Sequence, residues 1–360
     1  MTGGLLALAI NVVVSGLFAA VFLLVARSHR AFRHLGWIAA AWAVGAGAPA
    51  AEVLLRVTPW TTVLSFTGYA CFSAGAHLLA HGLARHYRRA LPRWLLPASF
   101  AASLIIRLAI WDGERNTMPY ELYYQLPFVT ALAISGVIVW PARRRSVWDA
   151  ILAGCLWLFT LTFASKPVAA ILLGSGATAR DYASSLYAIY SQAASGLIAL
   201  GCGIALMAVV IRDLRVRLKR DLVTDAPTGL PNRRGFLAGL QARMDTAPAG
   251  GLLIVCEAGW QAAPHDRITA LRQALPPTAL LGRIDPQRLA VLLPGETDPD
   301  RSAIVRGMIR DLSGAGHDGG LGEVRLAAGE DAAAALARAE GSLFLDAELR
   351  KGRRGPAPQP

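Results

Sequence analysis

The chain has 360 residues, 54% of them hydrophobic and only 17% charged, with a mean hydropathy of +0.42. A soluble domain carries about a quarter charged residues, so this composition excludes an ordinary soluble protein and points to a membrane protein. The net charge of +12 would suit nucleic acid in a soluble chain, but the arginines gather in short loops between apolar runs, so the expected partner is the lipid bilayer and not nucleic acid.

The apolar runs come first. A hydrocarbon layer of about 30 Å takes about 20 helical residues, and seven segments qualify, near 4–26, 36–56, 60–82, 94–111, 121–140, 148–173 and 186–211. The first, "MTGGLLALAINVVVSGLFAAVFLLVAR", has no basic leader and exceeds a signal-peptide core, so it is expected to be a retained span. The loops "RSHRAFRH", "ARHYRRALPR", "ARRRS" and "RDLRVRLKR" are rich in Arg, and those between them are poorer. Lys and Arg mark the cytoplasmic side, which predicts an outside N-terminus and a cytosolic C-terminal part. Trp111, Tyr120, Tyr123 and Tyr124 are expected at the outer interface.

Charges within spans are costly and face protein or water. Glu52, Arg56, Arg107 and Lys166 all fall in the outer halves of their spans, and Glu52, Arg107 and Lys166 form a candidate intramembrane ligand site for a small anion. Pairing of Glu52 with one of the cations, or outward snorkelling of Arg56 and Arg107, is the favoured explanation of these charges. His77 and His81, four apart on one helix face, are a weak metal or haem candidate, and no metal is assigned because no carboxylate or Cys accompanies them. Lys166 lies in the sixth span and the seventh has no lysine, which excludes a retinal Schiff base of the usual placement. The four cysteines, 71, 155, 202 and 256, have neither disulfide-framework nor zinc spacing.

Beyond residue 211 the sequence becomes ordinary and soluble. Residues 212–222 continue the last helix as a connecting signalling helix, with Leu214, Leu218 and Leu222 on one stripe, suited to pairing with a second copy or to packing on the domain that follows. "PTGLP" then breaks the helix.

The stretch "DAPTGLPNRRGFLAGL" resembles the opening of the GGDEF domain of diguanylate cyclases, Asp-x-Leu-Thr-Gly-Leu-x-Asn-Arg-Arg. The matching positions are Asp225, Thr228, Gly229, Leu230, Asn232, Arg233 and Arg234. The resemblance runs to about residue 354: "GGLLIVCEAGW" takes the place of the first core strand, "RLAVLLPG" the strand leaving the signature turn, and "AAALARAEGSLFLDAELRKGRRG" the closing helix. It implies a small α+β domain with a central antiparallel sheet. The family condenses two GTP into cyclic di-GMP across a dimer, with two acids holding Mg²⁺.

At the places that matter the chain departs from that pattern. The signature falls on Asp285, Pro286, Gln287, Arg288 and Leu289, so the glycines are replaced and Gln287 stands at a metal-carboxylate position. Cys256 stands at the other. Glu257 is adjacent but on the opposite strand face. The family's Lys and Asn positions after the first strand fall on Gln261 and Pro264, its late phosphate-contacting Lys on Ala347 or Glu348 with Lys351 and Arg353 nearby, and its inhibitory Arg-x-x-Asp on Pro276–Ala279. Asp-Pro at the start of a type I turn explains "RIDPQRLAVLL" without catalysis.

The expected organisation is therefore 1–211 a seven-helix transmembrane sensor domain, 212–222 a connecting helix, 223–350 a degenerate GGDEF-like domain and 351–360 a disordered tail. The expected function is membrane signalling in the bacterial inner membrane, with no catalytic residues and no cofactor. Output would pass through a homodimer, or an active GGDEF or phosphodiesterase partner. Two alternatives stand: a divergent diguanylate cyclase using Mg²⁺ and GTP through Glu257 or Asp285, and a small-ligand receptor or transporter with a regulatory tail.

Overall fold

The structure is a computed structural model that describes residues 3–178, 181–182, 185–246, 250–257, 265–293, 295, 303–308 and 320–353. It divides into two compact units, Met1–Arg212 and Asp213–Pro360.

The first unit is helical. Its elements are α1 (Gly3–Ser28), α2 (Leu35–Gly45), α3 (Gly47–Val57), α4 (Thr61–His86), α5 (Leu95–Ala109), α6 (Met118–Val139), α7 (Val147–Leu173) and α8 (Leu186–Val223), the last running past the division at Arg212. Among the described residues six segments are long and apolar enough to cross a membrane: Leu8–Ser28, Leu35–Val57, Thr61–His86, Met118–Arg144, Val147–Leu173 and Leu186–Val223. The fourth expected span falls on α5, which has only 15 residues, about 23 Å at 1.5 Å per residue, and is not among those six. The second breaks at Ala46 into α2 and α3. Pro49 has no N–H to offer the Gly45 carbonyl, and Gly45 and Gly47 flank the break.

This unit has an apolar interior, but it also exposes many apolar side chains and buries several polar ones. Leu6, Val13, Leu17 and Leu24 of α1 and Leu158, Leu161 and Leu172 of α7 are exposed, whereas Ser73, Ser103, Arg107, Glu121, Asp149 and Lys166 are buried. Hydrocarbon outside and polar groups inside is the arrangement a lipid solvent favours.

Close packing of α4 on α2 and α3 has a sequence basis in Gly68, Gly75 and Gly82, seven apart. A Cβ on Gly75 would lie 3.0 Å from the Ala41 carbonyl oxygen and 3.1 Å from the Cα of Gly45. Only a bare α-carbon lets these two backbones approach so closely. Hydroxyls tie α4 to α5: Ser73 and Ser103 share a 2.7 Å bond, and Tyr69 donates to the Ser103 carbonyl at 3.1 Å.

The second unit contains α9 (Arg233–Thr246), β1 (Leu252–Glu257), α10 (His265–Ala274), β2 (Leu280–Asp285), β3 (Arg288–Leu293), β4 (Leu321–Arg325) and α11 (Ala332–Arg353). The strands form one antiparallel sheet in the order β2-β3-β1-β4. Alternation along β1 and β3 feeds two cores. Leu253, Val255, Ala290 and Leu292 pack with Phe236 and Leu240 of α9 and Leu336 and Leu343 of α11. On the other face Ile254, Cys256, Leu289 and Val291 pack with Ile268 and Leu271 of α10. Residues 354–360, most of the tail expected to be disordered, lie outside the described residues, as do Trp260, Gln261 and Pro264.

Candidate functional site

Each unit holds one candidate site. In the helical unit a cavity of about 280 Å³ lies among α1–α4 and α6–α8. Its lining includes Glu52 and Lys166, two of the three intramembrane charges singled out in the sequence. Glu52 accepts a hydrogen bond from the Gln192 amide of α8. Lys166 is 7% exposed, and its ammonium sits 3.6 Å from the centroid of the Phe163 ring. Arg107 does not line the cavity. Its guanidinium stacks at 5.0 Å over Trp111 and 6.0 Å over Tyr124, a cation–π arrangement.

Much of the lining was not singled out in the sequence. Glu121 is buried and accepts from the Ser175 hydroxyl at 2.7 Å. Tyr120 and Tyr124, expected in the outer aromatic belt, line the cavity, whereas Tyr123 is exposed. Ser191, Gln192 and Ser195 of α8 complete a polar wall. The signal lay in spacing: Glu121 and Gln125 are four apart, as are Ser191 and Ser195, so each pair shares a helix face.

The histidines separate. The Nδ1 of His77 donates to the Ser73 carbonyl at 2.7 Å, which leaves Nε2 to accept from the Ser99 hydroxyl at 3.0 Å. With both nitrogens engaged, His77 is a packing residue. His81 instead sets its ring against Trp37. Among the described residues no three His, Cys, Asp or Glu side chains group as metal ligands. At one end of the bundle His34, which precedes the Leu35–Val57 segment, pairs at 3.1 Å with His86, the last residue of α4, and burial first, then the neighbouring His86, lowers the His34 pKa to about 4.

In the second unit the entrance motif is a joint. The Asp225 carboxylate accepts from the Thr228 hydroxyl at 2.6 Å and the Thr228 amide at 3.1 Å, and pairs with Arg283 of β2 at 3.1 Å. Burial opposes its ionisation, but these hydrogen bonds and Arg283 hold its pKa below the ordinary carboxylate value. Gly229 turns the loop at φ 67°, where other residues are strained. Asn232 donates through its backbone to the Val223 carbonyl and through its side chain to that of Leu222, and its side-chain oxygen caps α9 at the Gly235 amide. It thereby satisfies the carbonyls at the end of α8 and the amides at the start of α9 together. Leu230 is core, Arg234 is exposed, and Arg233 makes a two-pronged pair with Glu340 of α11 at 2.6 and 2.9 Å.

The signature turn is a tight hairpin. Pro286 and Gln287 link β2 to β3, and Asp285 pairs in register with Arg288. The Asp285 carboxylate accepts from the Gln287 amide at 2.7 Å, a local turn bond. Arg288 stands among three acids, 3.4 Å from Asp285, 3.8 Å from Glu257 and 3.9 Å from Glu340. Glu340 was not singled out in the sequence. Cys256 pairs with Leu289 and points into the opposite core, where burial pushes its thiol up to about 12.

These residues do not fit Mg²⁺. A hard cation takes ionised oxygens, whereas Cys256 is a neutral thiol in a hydrocarbon core and Gln287 an amide. The nearest carboxylates already face a guanidinium. Of the residues aligned with late phosphate contacts, Ala347 and Glu348 lie on α11.

No family model matches the chain, and no curated protein matches it. Among solved structures it is similar to the crystal structure of diguanylate cyclase SiaD in complex with its activator SiaC from Pseudomonas aeruginosa, with 24% sequence identity and a TM-score of 0.29. The match covers 40% of this chain and 65% of that chain, less than two thirds of its length.

Proposed function

We propose that the chain is a multi-pass signalling protein of the bacterial inner membrane. Its helical unit takes up a ligand in the cavity, and its second unit is a degenerate GGDEF-like domain. That unit acts by dimerisation or by binding a partner in cyclic di-GMP-related signalling, and not by making the nucleotide. The single observation that carries the reading is the composition around the signature hairpin. The two positions where the resemblance requires metal carboxylates hold Cys256 and Gln287. The acids nearest them, Glu257 and Asp285, lie against Arg288.

The entrance motif supports the same reading from the opposite direction. Asp225, Thr228, Gly229 and Asn232 have structural work that requires no nucleotide: they join α8 to α9 and clamp the loop to β2. Their retention beside a lost metal site is what a scaffold without its chemistry would keep.

Seven crossings, with the N-terminus outside and the second unit cytosolic, remain part of the proposal. Antiparallel pairing of Ser99 and Ser103 with His77 and Ser73 sets α5 beside the middle of α4. A helix of that length is accommodated by local thinning of the bilayer. The loop arginines supply the orientation.

The test is incubation of detergent-purified full-length protein with GTP and Mg²⁺ or Mn²⁺, beside an active cyclase, with assay for cyclic di-GMP. The proposal expects none. Product abolished by Asp285→Ala would establish the divergent cyclase instead.

A further inference from the structure

We propose that the cavity of the helical unit binds a small hydrophobic carboxylate, an aromatic or short acyl body bearing one anionic group held by Lys166. This deepens the sensory reading above and rests on it for its consequence in signalling.

Lys166 is buried to all but 7% of its surface. Its ammonium has no hydrogen bond or ion pair among the described residues, and it sits over the face of the Phe163 ring. A cation at that depth is retained at considerable cost and calls for an anionic partner. The two carboxylates of the cavity have donors of their own, Glu52 from Gln192 and Glu121 from Ser175. Glu52 lies within electrostatic reach of Lys166 but makes no ion pair with it among the described residues, so the N–H donors of the ammonium are left without an acceptor, and they select an anion.

The body of the ligand follows from the wall beside it. Phe72 stacks on Phe163 at 5.1 Å and meets Phe128 edge-on at 5.0 Å, while Tyr69 lies 4.8 Å from Phe128. All four rings line the cavity. They present faces and edges suited to another ring or a short chain. At about 280 Å³ the cavity lies at the small end of ligand pockets, roughly 300–1,000 Å³. A one- or two-ring acid or a single short acyl chain fits, and a two-chain lipid does not.

The experiment is calorimetric titration of the full-length protein in nanodiscs with 2-naphthoate and with 2-naphthamide, its neutral counterpart. The acid is expected to bind and the amide to bind far more weakly. Lys166→Met is expected to weaken the acid by about thirtyfold or more, the effect of removing one partner of a buried charge pair. The amide is unaffected, and the thermal midpoint is equal to the parent's or higher. Lys166→Arg keeps the charge and is expected to keep the preference for acid over amide. Decanoate in parallel separates an acyl from an aromatic source, and Lys166-dependent binding of either acid supports the assignment. Equal binding of acid and amide, undiminished acid binding by Lys166→Met, or no binding of either acid overturns it. None of these results bears on cyclic di-GMP synthesis, so failure here and failure of the signalling proposal are read by different assays.

Discussion

Removal of Arg212 tests the electrostatics of the helical unit most sharply. Asp149, at the start of α7, is fully buried. It accepts from the Tyr87 hydroxyl at 2.8 Å, from the Ser146 hydroxyl at 2.6 Å and from the Arg212 guanidinium. Ser146 also caps α7, its oxygen accepting from the Asp149 amide at 3.2 Å. The four residues bind the end of α4, the start of α7 and α8 into one knot. Arg212→Ala strips the carboxylate of its cation and leaves it buried, which costs about 3–5 kcal/mol. Asp149→Asn acts on the other side. Arg212 keeps its bond to the Ser146 hydroxyl and, with its side chain 27% exposed, reaches water, and the amide still offers the hydroxyls an acceptor. Its cost is closer to the worth of a single charged hydrogen bond, about 1.5–3 kcal/mol. Arg212→Ala should therefore be the worse variant, and in the double variant the two losses should fall short of additive. Thermal midpoints of parent, singles and double in one detergent measure this. Equal midpoints for Arg212→Ala and parent, or a larger loss in Asp149→Asn, would refute the reasoning.

Two further outcomes follow from the packing and titration of the same unit. Gly75→Leu forces a side chain onto the backbone of α2 and should lower stability by about 1–3 kcal/mol or more. Gly154→Leu, where a Cβ meets nothing within 4 Å, should leave the midpoint near the parent's. Because the folded unit holds the His34 pKa at about 4 against an ordinary 6.5, the unfolded chain binds the proton first on acidification. Stability should be whole above pH 6.5, decline between 6.5 and 4, and decline less in His34→Gln, read as midpoint against pH.

Much of the architecture was written in hydropathy. Among the described residues six of the seven apolar runs form helical segments of membrane length, the second of them broken at Ala46, because a span must satisfy its own backbone and so declares itself locally. α5 is the run whose helix falls short, since Pro92 and the Asp112–Gly113 turn bound it closely. The cavity was half legible. Glu52 and Lys166 stood out as charges in apolar runs, but Arg107 did too, and its stacking on Trp111 and Tyr124 depends on helix rotation, which hydropathy does not encode. Tyr120 and Tyr124 read as interface residues because an aromatic belt and a cavity wall have the same composition. In the second unit Cys256 and Gln287, at the positions where the resemblance expects carboxylates, were readable from the sequence residue by residue. The meeting of Arg288 with Glu257 and Glu340 was not, because it joins β1, β3 and α11 across long stretches of chain.

The most direct test of the central claim is binding of Mn²⁺ by the full-length protein, followed by electron paramagnetic resonance with a non-hydrolysable GTP analogue and an active cyclase as comparison. With Cys256 and Gln287 where the resemblance puts the metal ligands, as the proposal holds, the free Mn²⁺ signal should fall no further than the nucleotide alone lowers it. Stoichiometric loss of that signal on adding protein, abolished by Asp285→Ala or Glu257→Ala, would mean that these acids hold a metal after all and that the second unit retains its nucleotide site.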